Sequence, residues 1–147
     1  LMQLKIETLL KNETLSPIQK VELVIDEYIA KVLDKQLFYK IMLCEMAQRK
    51  NRVVINYIRD IKLNYANMMQ SLVQEGQQKK FFRKNIDIML LMNTMTGTVT
   101  QMIMNKEIYR EFNTLKKMPE EAFDLQLKNI LGNHIKQIFK TLLEYEG

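Results

Sequence analysis

Few side chains in this sequence could act as metal ligands or catalytic groups. It has one histidine, His134, one cysteine, Cys44, and no acidic spacing typical of a metal site. Neither Ser16 nor Ser71 has a basic partner that would make its hydroxyl a nucleophile. No two glycines are close enough for a phosphate-binding loop. We therefore expect a protein that is not an enzyme and that uses neither a metal nor a cofactor.

Structural roles explain the single histidine and the single cysteine most simply. His134 falls between Leu131 and Ile138 in an apolar helical pattern, which favours a packed or interface histidine over a general base. Cys44 falls in a similar pattern, so we expect a small core residue, with redox sensing as the alternative. A lone cysteine cannot form an internal disulfide and indicates a reducing, cytoplasmic setting.

Methionine is unusually frequent, with eleven residues in the chain. Its flexible, polarisable side chain is common where a surface accepts apolar molecules of varied shape. An apolar cavity with a few polar groups is the usual form of a ligand site. From the inner faces of three central helices we predict a ligand site formed by Tyr39, Met42, Glu45, Met46, Tyr57, Ile61, Tyr65, Met69, Met92 and Met95. The alternative is that the methionines only fill the core.

Glu45 bears on the charge of such a ligand. A carboxylate on an inner helix face is unfavourable unless it pairs or meets a cation. One expectation is therefore a small apolar or cationic ligand. The alternative is that Glu45 lies at the edge of its helix and reaches water.

Helical periodicity accounts for the whole chain, and prolines and glycines are too few for a strand-rich fold. Ser16 with Pro17 starts one helix, Asp34 can cap the next, and Asn51 caps a long helix that Gly76 ends. We predict helices over residues 17–33, 35–50, 52–75, 85–105, 106–117 and from 120 onward, after the end of another at 1–12. This is an all-α, orthogonal or antiparallel bundle of six or seven helices in one domain, residues 1–147.

Charge and hydropathy favour neither direct nucleic-acid binding nor a membrane span. The net charge is +5, but Lys and Arg are scattered over helix faces apart from one cluster in residues 79–84. The uncharged run in residues 88–105 approaches the length of a membrane span. Because Asn, Thr and Gln recur through that run, we expect no membrane contact.

The predicted helix over residues 85–105 has two different faces. One face has large apolar residues for the core, and the other has threonines around Gly97. A glycine inside a helix costs about 1 kcal/mol relative to alanine, and close approach of a partner helix would offset that cost. The last helix also has more apolar positions than one face holds. We expect a homodimer joined by two helices of each subunit, with interface residues Thr94, Gly97, Gln101, Leu127, Leu131, His134 and Ile138. The alternative is a monomer whose last helix packs within the bundle.

Three short segments resemble the C-terminal regulatory domain of TetR-type (AcrR-like) bacterial transcription regulators. Glu75-Gly76 closes a long helix, Phe82 to Asp87 follows it, and Thr94 to Gly97 is similar to the small-residue turn of the family's eighth helix. Two departures are visible. Asn85 stands at the family's first acidic position, and residues 77–80 replace the usual second glycine.

The resemblance implies a ligand-sensing and dimerisation domain of a transcription regulator. Residues 1–12 would be the end of the helix that joins it to an N-terminal helix-turn-helix domain outside this chain. DNA would be contacted only through that missing domain. A small molecule bound among the central helices would shift the population of subunit arrangements and so change DNA binding. The alternative function is a stand-alone helical module that binds protein partners.

Overall fold

The computed structural model describes residues 7, 8 and 10–145. Six helices lie wholly within these residues: α1 (Pro17–Asp34), α2 (Gln36–Gln48), α3 (Arg52–Gln78), α4 (Ile88–Met104), α5 (Lys106–Phe112) and α6 (Glu120–Leu143). Residues 7, 8 and 10 are helical as well. Within the described residues no strand forms, and Phe82 and Glu144 make one isolated antiparallel bridge. The predicted all-α helical bundle is confirmed. The helix predicted over residues 1–12 falls largely outside the described residues.

Helix α1 runs through the centre of the core and packs against α6, α3 and α4. Its buried residues recur every three or four positions, the spacing of one helix face: Val21, Val24, Ile25, Tyr28, Ile29 and Val32. Helix α6 contributes a row at every fourth position: Phe123, Leu127, Leu131, Ile135, Phe139 and Leu143. Leu127 and Leu131, which we predicted at a subunit interface, lie in this row. They are buried inside the chain's own core, so neither presents its side chain to a second subunit.

Two of the predicted helix starts are present, and a third is not. Ser16 and Gln19 form a reciprocal capping box, with Gln19 N donating to Ser16 Oγ at 3.3 Å and Ser16 N donating to Gln19 Oε1 at 2.9 Å. The side chain of Asn51 caps α3. Asp34 caps nothing, because α1 continues through it and α2 begins after Lys35 without a side-chain cap.

Gly76 does not end α3, which continues to Gln78. Its φ is that of an ordinary helical residue. The glycine is needed for space, because a Cβ built on it would overlap three ring carbons of Phe82. Phe82 is fully buried, and its backbone N donates to Gly76 O at 3.1 Å. The absence of a side chain thus lets the returning chain pack directly on the helix.

The connection from α3 to α4 is also bound to the end of α6. Arg83 N donates to Leu143 O at 2.7 Å, and Arg83 Nε donates to Glu144 O at 2.7 Å. These bonds satisfy carbonyls that a helix C-terminus leaves without partners. Asn85 has a left-handed backbone with φ 60°, and α4 begins only at Ile88, where Asp87 accepts from Leu90 N. Helix α4 therefore starts three residues later than predicted.

Two buried lysines join the helices through ion pairs. Lys20 on α1 lies 2.9 Å from Glu75 on α3. Lys106 on α5 lies 2.8 Å from Asp124 on α6, and its amino group also donates to Gln36 Oε1 of α2 at 2.8 Å. Because each lysine has its partners in place, burial of its charge is compensated. These pairs fix α3 and α2 relative to the α1–α6 core.

Gly76→Ala and Gly97→Ala make a matched pair of substitutions inside helices. Gly76→Ala is expected to lower the free energy of unfolding by about 1–3 kcal/mol, because the new methyl group overlaps Phe82. Gly97→Ala is expected to raise it by up to about 1 kcal/mol, since no neighbour lies within 4 Å of the new Cβ. Urea unfolding measures both. Equal effects of the two substitutions would contradict the role given to Gly76.

Lowering the pH should remove the contribution of the Lys20–Glu75 ion pair to the free energy of unfolding. Burial alone would raise the pKa of Glu75, but hydrogen bonds and charges from Lys20 and Lys79 outweigh it and lower that pKa below 4.5. A lowered folded-state pKa stabilises the protein above the unfolded-state pKa, and that stability is lost as the pH falls through the folded-state value. Urea unfolding between about pH 6 and pH 3 should therefore show a steeper acid loss for the native chain than for Glu75→Gln. The exposed Glu121→Gln control should match the native slope, and a native slope for Glu75→Gln would refute the assignment.

Candidate functional site

A cavity of about 530 Å³ lies among α1, α2, α3 and α4. Its volume is that of a typical small-molecule site. Most of the predicted ligand residues line it: Tyr39, Met42, Met46, Tyr57, Ile61, Tyr65 and Met92. The three others are elsewhere. Met69 and Met95 are fully buried in the core, and Glu45 is half-buried on α2 without facing the cavity. The methionines thus divide between the cavity and the core.

Helix α2 covers the cavity instead of packing on a solid core. None of its residues is fully buried. Its cavity side has Tyr39, Met42, Leu43 and Met46, while Leu37 and Ile41 on its outer side are 71% and 51% exposed. Cys44, which we predicted in the core, is exposed as well. The outer side of α2 faces away from the cavity, and its apolar residues remain in solvent.

Helix α4 forms the opposite wall through residues spaced by three and four. Gly97, which we predicted at a subunit interface, belongs to this wall, and no heavy atom lies within 4 Å of its Cβ position. The threonine hydroxyls bond within the helix: Thr96 Oγ1 donates to Met92 O at 3.0 Å and Thr100 Oγ1 donates to Thr96 O at 2.7 Å. Since their hydroxyl donors are satisfied by the helix itself, these threonines need no partner helix.

Several cavity residues were missed in the sequence. They are Tyr28, Lys31, Lys35, Phe38, Leu43, Ile58, Lys62, Met89, Asn93, Thr96 and Thr100. Ile58, Ile61, Lys62 and Tyr65 form a continuous row of three- and four-residue spacings, so periodicity in α3 could have added Ile58 and Lys62. No sequence signal marked Lys31, Lys35 or Lys62, because lysines are scattered over the helix faces along the chain.

Aromatic rings form much of the cavity wall. Tyr28 and Tyr65 contact edge to face with centroids 6.4 Å apart, and Phe38 and Tyr39 do so at 5.5 Å. Lys31 Nζ lies 5.8 Å from the centroid of the Tyr65 ring, within cation–π range. Burial, with neighbouring tyrosines, raises the pKa of Tyr39 to about 12. Its hydroxyl therefore keeps its proton at neutral pH and can donate a hydrogen bond.

The remaining interface candidates lie on exposed parts of α4 and α6. Gln101 and His134 are exposed, while Thr94 and Ile138 are half-buried. On α6, His134 and Ile138 belong to a four-residue row beside the core row, and Leu142 extends it at 45% exposure. This row is apolar at most positions and only partly covered by the chain itself.

The described residues contain neither a candidate metal site nor a helix that could span a membrane. No group of three or more His, Cys, Asp or Glu side chains in residues 7, 8 and 10–145 could hold a metal ion. Over the same part of the chain, no helix combines the length and apolarity needed to cross a membrane.

The fold and the site together define an all-helical domain built around a largely apolar cavity. The chain belongs to the family of tetracyclin repressor-like C-terminal domains, whose family model matches residues 17–130, from the start of α1 into α6. The resemblance drawn from the short segments of α3 and α4 is thereby confirmed. No curated protein and no solved structure matches the chain.

Proposed function

We propose that this domain senses a small molecule, forms a homodimer, and controls DNA binding by an N-terminal domain of a cytoplasmic transcription regulator. The cavity of about 530 Å³, in a chain of the tetracyclin repressor-like family, is the observation that supports this best. The domain is regulatory and not catalytic. The proposed ligand site is the cavity, including the predicted residues that line it.

The way α2 packs supports reversible ligand entry. A helix without fully buried residues loses little apolar contact when it moves, so local opening costs less there than in α1 or α6. The floor of the cavity, in contrast, is part of the rigid core, because Tyr28 and Met92 are buried. A ligand would replace empty space between the mobile cover and the fixed floor. It would thereby favour the closed arrangement of α2.

Helix α4 is the element through which binding would be communicated. Met92 and Thr96 line the cavity, whereas Gln101 is exposed towards the proposed second subunit. A ligand that binds one position of α4 more tightly than another shifts the population of dimer arrangements. Under this proposal, a helix-turn-helix domain is expected within about 50 residues upstream of this chain.

Decanol, an uncharged apolar probe, is expected to raise the melting temperature by about 5 °C at saturation, because it binds only the folded state. Gly97→Leu should reduce this shift without lowering the melting temperature of the free chain, since the new side chain takes up part of the cavity and no neighbour lies within 4 Å of its Cβ. Ala47→Leu, at an exposed position of α2 outside the cavity lining, is the control and should keep the shift. Differential scanning fluorimetry measures all three.

The absence of a shift with the native chain would overturn the cavity as a ligand site. A shift that Gly97→Leu leaves undiminished would mean that decanol binds elsewhere, and it would overturn the site equally.

The proposed dimer joins α4 and α6 of one subunit to those of the other. Gln101 and His134 are exposed, and Ile138 and Leu142 leave part of an apolar row uncovered. A two-fold interface would cover this row with its own copy. Leu127 and Leu131 are not part of the proposal, because they are buried in the core.

The double substitution Gln101→Glu and His134→Glu should raise the dissociation constant of the dimer about tenfold or more. Two-fold symmetry would bring the new carboxylates together, and like charges repel. Both positions are exposed, so the fold should be retained. The control variant has glutamates at Leu125 and Asn129, which point away from His134 at 100° per residue and are also exposed. Sedimentation velocity compares the variants. A native chain that is monomeric at micromolar concentration, or equal weakening by the control, would refute this interface.

A protein-interaction module is the alternative function. It is favoured by exposed apolar side chains, above all Phe112 of α5 at 86% and Ile108 at 66%. An interaction module does not require an internal cavity, however, and the cavity is present. Stabilisation by decanol that is reduced in Gly97→Leu would support ligand sensing over an interaction module.

A further inference from the structure

We infer that the cavity binds an amphipathic anion, a molecule with an apolar body and one carboxylate or phosphate group. This inference rests on the proposed function, because it names the ligand class of the same site. Its basis is the sign of the charges around the cavity. Lys31, Lys35 and Lys62 line it, and no aspartate or glutamate does.

The three lysines are available to a ligand. Each of the buried lysines, Lys20 and Lys106, has a carboxylate partner, but Lys31, Lys35 and Lys62 have no ion pair among the described residues. Several lysines without ion pairs around one cavity raise the local concentration of anions. Glu27 does not line the cavity. Burial raises the pKa of Tyr65, and the negative charge of Glu27 raises it further.

Apolar and charged groups occupy different depths of the cavity. Its floor is apolar and buried, formed in part by Tyr28, Ile58 and Met92. Its rim is exposed and includes Lys35 and Lys62. An apolar chain would therefore lie on the floor, and an anionic group at its end would meet the lysines while remaining near solvent. Burial of the ligand charge, which is costly, is not required.

Tyrosine hydroxyls add donors to this arrangement. Burial raises the pKa of both Tyr39 and Tyr65, so neither becomes a competing anion near neutral pH. A protonated hydroxyl can donate to a carboxylate or phosphate oxygen, and such charge-assisted hydrogen bonds are among the stronger ones. Lys31 lies over the Tyr65 ring, with its amino group 5.8 Å from the ring centroid, so its charge is on the same side of the cavity wall as that tyrosine.

From the sequence we expected that the ligand could be a cation, and the inferred anion replaces that expectation. It depended on Glu45, which does not line the cavity. A cation would instead meet the like charges of Lys31, Lys35 and Lys62, which repel it.

Isothermal titration with probes that share one alkyl chain tests the inference on the native chain. Decanoate and decyl phosphate are each expected to bind about tenfold more tightly than decanol, and decylammonium more weakly than decanol. Comparison of decanoate with decyl phosphate identifies which anionic group is preferred. Added salt should weaken decanoate binding and leave decanol binding unchanged.

The triple variant Lys31→Gln, Lys35→Gln and Lys62→Gln is expected to lose the preference for decanoate over decanol. Its affinity for decanol should stay the same. The combined change Lys117→Gln, Lys128→Gln and Lys140→Gln removes the same three charges at exposed positions outside the lining and should keep the preference. Lysine-to-arginine changes at positions 31, 35 and 62 should retain it as well.

If decanol or decylammonium binds as tightly as decanoate and decyl phosphate, or more tightly, the inference is overturned while the cavity remains a ligand site. Preference for the anions in the variant that lacks the three cavity lysines would overturn it too. If none of the probes binds, the proposed function fails and the inference fails with it.

Discussion

The ring of Phe82 packs directly on the backbone of Gly76, and the position of α4 depends on this contact. The contact turns the chain back on α3, and Arg83 then bonds to the C-terminal carbonyls of α6. Asp87 caps α4 five residues after Phe82. Helix α4 is thereby held between the core and the cavity, with one wall of the cavity on its own surface. A side chain at position 76 would displace the connection on which all of this depends.

The same contact explains why short sequence segments revealed the family. Glu75 pairs with Lys20, Gly76 makes room for Phe82, and Asp87 caps a helix. Each role depends on one residue type at one position, so each leaves a readable signal in the sequence. Helix order and the caps at Ser16 and Asn51 were readable for the same reason. The role of Gly76 was not, because a glycine near a helix end has the same appearance whether it terminates the helix or admits a neighbouring ring.

The site was harder to predict, because apolar residues look alike whether they line a cavity or fill a core. Met69 and Met95 are core residues, while Met42 and Met92 line the cavity, and no local pattern separates them. Cys44 is exposed because it lies on the side of α2 away from the cavity, and which side of a helix faces solvent is a tertiary feature. Gly97 lines the cavity, and the sequence indicated no cavity role for it because the glycine and threonine pattern is also typical of a helix–helix contact. The absence of an ion pair among the described residues distinguishes Lys31, Lys35 and Lys62 of the cavity from the buried lysines Lys20 and Lys106, each of which has a carboxylate partner.

The central claim is that the space beneath α2 is a ligand site, and amide hydrogen exchange with and without decanol tests it most directly. Helix α2 has no fully buried residue, so its amides should exchange quickly in the free chain. Bound decanol is expected to slow exchange across Gln36–Gln48 and on the cavity face of Ile88–Met104. Slowing confined to α5, where Phe112 and Ile108 are exposed, or no change in α2 at saturation, would contradict the account.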